Sequence, residues 1–174
     1  MKRAGHCQRA NSGREAAAAP AFTVPERLVG LGFRYWLDGY RTGDISRWEK
    51  VWCTYSSVMG AAVAKSAVGD LACWVRTINN HTQRDLRTSA VDCGQFCRDE
   101  CVAISMIAAC QHQVCPAMRA CAFALLGCSM IDEVVQVAES FAETMRDADQ
   151  MLSASHAYRL PLLARMPAAT AMRQ

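Results

Sequence analysis

Apolar positions recur every three or four residues over most of the chain, and no segment reads convincingly as a strand. A first helix is predicted from Pro25, where the missing N–H costs nothing. It carries Leu28, Val29, Leu31, Phe33, Tyr35, Trp36 and Leu37, and stops near Gly39, with Gly43 in the following turn. Ser46 to Glu49 reads as a capping box, a hydroxyl followed three residues later by a carboxylate. The helix it opens places Trp48, Trp52, Tyr55, Met59 and Ala62 on one stripe. The pattern continues through Val63, Leu71, Trp74, Val75 and Ile78, weakened by Gly60 and Gly69, and a bend or break is expected near Gly69-Asp70. Residues 79–91 are polar and aperiodic, as a loop would be.

Asp92-Cys-Gly-Gln95 has the form of another helix start, and the chain reads as helix from Cys93 to about Gln113. Residues 102–110 are almost all apolar, so this helix is expected to be the central, most buried one. Pro116 opens a short helix ended by Gly127, and Ser129 is positioned to cap the last one. There Ile131, Val134, Val135, Ala138, Phe141, Met145, Ala148 and Leu152 form an apolar seam. The prediction is an all-α fold, an up-down bundle of four or five helices over residues 24–157. A flexible basic tail over 1–23 and a flexible tail over 158–174, broken by Pro161 and Pro167, flank it.

Composition narrows the class. The chain has 174 residues, 52% hydrophobic and 20% charged, enough for one packed domain. The net charge of +3 is too small by itself to argue for a nucleic-acid partner, and none is expected. Lys2, Arg3, Arg9 and Arg14 make the N-terminus basic, and residues 132–149 are acidic. A basic, acid-poor start also fits a transit-type leader, though no secretory h-region follows it. No apolar run reaches the roughly 18–20 residues of a membrane helix. Ten cysteines without a secretory signal read as reduced thiols in a cytoplasmic protein.

Three of those thiols carry the candidate chemistry. On one helix Cys93, Cys97 and Cys101 fall at about 0°, 40° and 80°, with His112 at about 100°. Arg98, Asp99 and Glu100 are expected to point away from this stripe. Thiolates about 5–6 Å apart can share a soft ion, Cu(I) first and Zn(II) second. A second helix must complete the site, and Cys73, Cys115, Cys121 and Cys128 are the available donors. Simple packing of cysteine as a small hydrophobe accounts for the same pattern, as does redox chemistry. The pairing of His112 with Cys115 lacks a third member for nucleophilic catalysis. No phosphate-binding loop, dinucleotide fingerprint, nucleophile elbow or metalloprotease motif occurs, and the protein is read as a non-enzyme.

The Cys-x3-Cys run followed by His112, Cys115, Met118 and Cys121 resembles the four-helix-bundle cysteine-rich copper-storage family over residues 92–128. The resemblance implies a bundle whose interior binds Cu(I) through thiolate pairs, with Cys93, Cys97, Cys101, Cys115, Met118 and Cys121 as the metal ligands. The alternative is a helical interaction or adaptor protein, a homodimer or the partner of another helical protein, in which the cysteines only pack.

Overall fold

The computed structural model describes residues 22–158, and all its regular elements are helices. They are α1 (Val24–Thr42), α2 (Ile45–Met59), α3 (Ala61–His81), α4 (Arg98–Gln111), α5 (Cys115–Leu126), α6 (Asp132–Asp147) and the one-turn α7 (Ala154–Ala157). Cys7, Pro161, Pro167 and the rest of the expected tails lie outside the described residues. Phe22 and Thr23, assigned above to the N-terminal tail, belong to the packed domain. The Phe22 ring meets Phe96 edge-on at 4.8 Å, and Thr23 forms a capping box with Glu26.

The centre is α4, as its continuous apolar run predicts. Every residue from Val102 to Gln111 is buried. Around it pack α1, α5, α6 and α7, while α3 lies against α6 and α1. Leu71, Trp74 and Ile78 of α3 meet Phe33 of α1 and Phe141 of α6 in the same core. Of the predicted α6 seam, Val134, Ala138, Phe141 and Met145 are fully buried, whereas Val135 is half-buried and Ile131, Ala148 and Leu152 lie outside the helix. The second helix sits outermost, on α1 and α3.

Several boundaries move, each for a local reason. α1 passes Gly39 and ends at Thr42, because Gly43 takes the left-handed conformation (φ 71°) that closes the helix. Gly39 faces the Trp48 indole, so its place inside α1 is a close approach and not a stop. The cap of α2 is Asp44, whose carboxylate accepts the Ser46 N–H, and the expected Ser46 capping box does not form. The predicted long helix breaks at Gly60 (φ 79°), while Gly69 continues inside α3. α6 begins after Ile131, and Ser129 contributes only its carbonyl.

Candidate functional site

The largest correction falls on the cysteine stripe. α4 starts at Arg98, so Cys93 lies in the preceding loop, Cys97 is the N-cap and only Cys101 is helical. Asp92 is therefore not the helix start. The cause is Arg34 of α1, which is wholly buried. Its guanidinium donates to the carbonyls of Cys93 (2.7 Å), Gln95 (2.7 Å) and Ala90 (3.3 Å). These bonds turn the Cys93 and Gln95 carbonyls to the guanidinium, the Ala90 carbonyl also accepts the Cys93 N–H in a turn, and the strap over 82–97 stays non-helical.

The Arg34 charge is balanced by Glu100, whose Oε1 lies 2.6 Å from Arg34 Nε. The same carboxylate accepts from the Ser89 N–H and hydroxyl and from the Cys97 N–H. Beside it Arg84 grips Asp99 with both terminal nitrogens, at 2.8 and 3.0 Å, and Asp99 also accepts the Arg87 N–H. Asp99 and Glu100 thus point inward, contrary to the expectation that they face away from the stripe. Two buried carboxylates in the first turn of α4 complement the positive end of its dipole and tie the strap down.

The remaining candidate ligands scatter. Cys115 is exposed at the start of α5, whereas Met118 and Cys121 are buried on its inner face. Cys73 and Cys128 are half-buried. Among the described residues, no group of three or more His, Cys, Asp or Glu side chains is arranged to hold a metal ion. All nine described cysteines are free thiols, and several are used as donors. Cys97 Sγ donates to the Arg87 carbonyl (3.1 Å), Cys101 Sγ to Phe96 (3.8 Å) and Cys128 Sγ to His81 (3.9 Å).

Burial favours the protonated thiol at Cys97, Cys110 and Cys121. Burial raises Cys97, and the Glu100 charge adds to it, against the backbone N–H groups of Glu100 and Asp99 that favour the thiolate. Burial also pushes Cys110 and Cys121 up to about 12, with Glu139, Cys121 and Cys115 adding to the push on Cys110. His112 caps α4, and its Nε2 is 2.9 Å from the Leu152 carbonyl. It closes the helix end, as a residue at that position should.

The feature with most unspent apolar surface is α2. Of Ile45, Trp48, Val51, Trp52, Tyr55, Val58 and Met59, only Val51 and Tyr55 are buried. Tyr55 donates its hydroxyl to the Leu28 carbonyl at 3.0 Å and anchors the helix. Ile45 is 63% exposed and Trp52 40% exposed, seven residues apart along one stripe, whereas Met59, seven further on, packs against the core. Trp48 leaves the stripe partway, stacking on Trp36 at 5.6 Å.

Sequence reasoning did not single out Arg34, Glu100, Arg84 or Asp99. Gly30, one turn before Arg34, was the available signal. A Cβ there would come within 2.6 Å of the Phe96 ring, which itself lies against the Arg34 guanidinium. Comparison with family models, with curated proteins and with solved structures gives no match for this chain. Among the described residues no helix is long and apolar enough to cross a membrane.

Proposed function

We propose that this protein is a non-catalytic helical interaction protein that pairs with a second copy of itself through α2, its cysteines serving chiefly as core and hydrogen-bonding groups. The observation that carries the reading is the outward apolar surface of Ile45, Trp52 and Val58 on a helix that buries only two residues of its own. Apolar surface gathered on one helix face is what a helical partner covers. A second copy suits it because a two-fold interface needs only one self-complementary patch. The charges permit it as well. Arg47 is neutralised by Asp38 and Asp44, and Glu49 and Lys50 bring one charge of each sign, so like copies meet without net repulsion. Free thiols that donate hydrogen bonds fit a reducing compartment such as the cytoplasm.

The test is sedimentation of wild type and Trp52→Glu under reducing conditions. Wild type is expected to dimerise, and the variant to weaken the dimer by about thirtyfold or more, the effect of losing an aromatic anchor worth about 2 kcal/mol. A wild-type protein that stays monomeric at high micromolar concentration, or a variant that dimerises unchanged, removes the reading.

Soft-metal binding has its own supporting observation. Cys110, Cys115 and Cys121 lie close enough around the α4–α5 corner for the last two to raise the first. A Cu(I) ion bound as cargo would have to draw these thiols and Met118 of α5 together, since they are not arranged around an ion in the structure. Cys110 and Cys121 hold their protons at neutral pH, so each thiolate formed on the metal releases one. Affinity is then expected to rise by about tenfold per proton for each unit of pH up to the thiol range. Anaerobic Cu(I) titration against a chelator at pH 6 and pH 8 measures this. No uptake at either pH, or uptake unchanged in Cys110→Ala/Cys121→Ala, ends the soft-metal reading.

A further inference from the structure

A second buried ionisable pair joins the two ends of the described fold, away from α2 and independent of the dimer reading. His156 of α7 sets its Nε2 3.0 Å from Glu26 Oε1 of α1, and the two side chains are 6% and 2% exposed. The same carboxylate fastens both helices by their starts. Its Oε2 accepts the Thr23 N–H at the cap of α1 (2.7 Å), and its Oε1 accepts the Ser153 N–H at the cap of α7 (3.3 Å). Phe22 stacks on the imidazole, with ring centroids 5.7 Å apart. α7 has only four residues, far short of the roughly 12 a helix needs to persist unaided. Its place therefore rests on Glu26 and on the burial of Leu152, His156 and Ala157.

Charges on the neighbouring elements are engaged or face solvent. On α1, Arg27 is exposed and Arg34 is spent on Glu100. On α4, against which α7 packs, Arg98 is exposed and Asp99 is held by Arg84. From Cys101 to Gln111 that helix carries no charged residue, and its titratable side chains there are the thiols of Cys101 and Cys110. The strap that bears Phe96 brings Cys97, whose thiol donates to the Arg87 carbonyl, and an exposed Asp92. Between α6 and α7, Asp149 is exposed, and His112 meets the Leu152 carbonyl. Tyr158, just past α7, is exposed.

We propose that Glu26 and His156 form a pH-sensitive latch, which holds α7 and the cap of α1 while the imidazole is protonated and lets α7 open as the pH rises through the histidine range. An imidazolium balances the buried carboxylate. A neutral ring still donates one N–H, but leaves that charge uncompensated in a dry site. The attraction is thus complete below the ordinary histidine value of about 6.5 and is lost on the alkaline side. Opening bares the side of α4 that α7 covers.

Hydrogen exchange of the full chain at about pH 5.5 and about pH 8.5, corrected for the intrinsic rate at each, tests the latch on either side of the histidine range. The Ser153 and His156 amides report it, since they bond Glu26 and the Ser153 carbonyl. Their protection is expected to fall by about tenfold or more at the higher pH, while the buried amides of α4 keep theirs. In His156→Gln, which keeps a neutral donor, protection should be low at both pH values. By NMR, the His156 ring should titrate at lower pH in Glu26→Gln than in wild type. Equal protection at the two pH values in wild type overturns the proposal. So does a pH-dependent loss that persists in His156→Gln, or a ring titration that Glu26→Gln leaves unmoved.

Discussion

Glu100→Ala is expected to destabilise the protein by about 3–5 kcal/mol, because it leaves the Arg34 guanidinium buried without its counter-ion. Both side chains are essentially inaccessible, so water cannot replace the lost partner. The carboxylate also accepts from Ser89 and from the Cys97 N–H, and those donors are orphaned together. In a domain of this size the loss corresponds to a fall in Tm of roughly 6–20 °C. The strap over 82–97 should loosen first, since Arg34 and Glu100 hold it from both sides. Thermal denaturation and hydrogen exchange of the strap amides measure the two effects. Replacing both partners by Met removes the charges together and should cost much less than the single change. Arg34→Lys should behave like a loss, since one ammonium cannot reach the three carbonyls and the carboxylate at once. A Tm within about 2 °C of wild type for Glu100→Ala would contradict the buried-pair account.

Trp74 sits between Phe33 (5.8 Å) and Phe141 (5.7 Å, stacked), joining α1, α3 and α6. Trp74→Ala opens a cavity where three helices meet and should cost about 3–5 kcal/mol. Its Nε1 is buried without a hydrogen-bond partner, so the indole already carries a penalty. Trp74→Phe keeps most of the stacking surface and removes that N–H, and should cost under about 1.5 kcal/mol. Urea denaturation of the two variants gives the comparison. Equal losses would mean that the volume of the second ring, and not aromatic contact, holds the three helices together.

The helices themselves were legible because each carries a strong periodic signal. The run from Val102 to Cys110 is apolar on all sides, and such a helix has nowhere to go but the middle. The α6 seam alternates at three and four, and Gly127 stops α5 with a positive φ (70°) as read. Boundaries were harder where two glycines competed. Gly60 and Gly69 look alike in sequence, yet only Gly60 takes a positive φ (79°), because Ala64, Ala67 and Leu71 pack α3 continuously across position 69.

The cysteine stripe failed for a different reason. Spacing of four residues implies a shared face only if the segment is helical, and helical state at 92–97 was decided from 60 residues away. Arg34 takes the carbonyls of that segment, and Glu100 takes the Cys97 N–H. Neither contact leaves a trace in local periodicity. The acidic pair Asp99-Glu100, expected to point away from the stripe, is instead buried, at 3% and 0% exposure.

The sequence alone therefore determined that this chain is helical, which helix is central and which faces are apolar, since those follow from the order of side chains along 3.6-residue turns. Tertiary structure decided where α4 starts, where the thiols go and that the α2 stripe stays uncovered. Those outcomes turn on buried charge pairs and on the number of helices available to cover a face, and such pairings between distant residues are written in no single stretch of the chain.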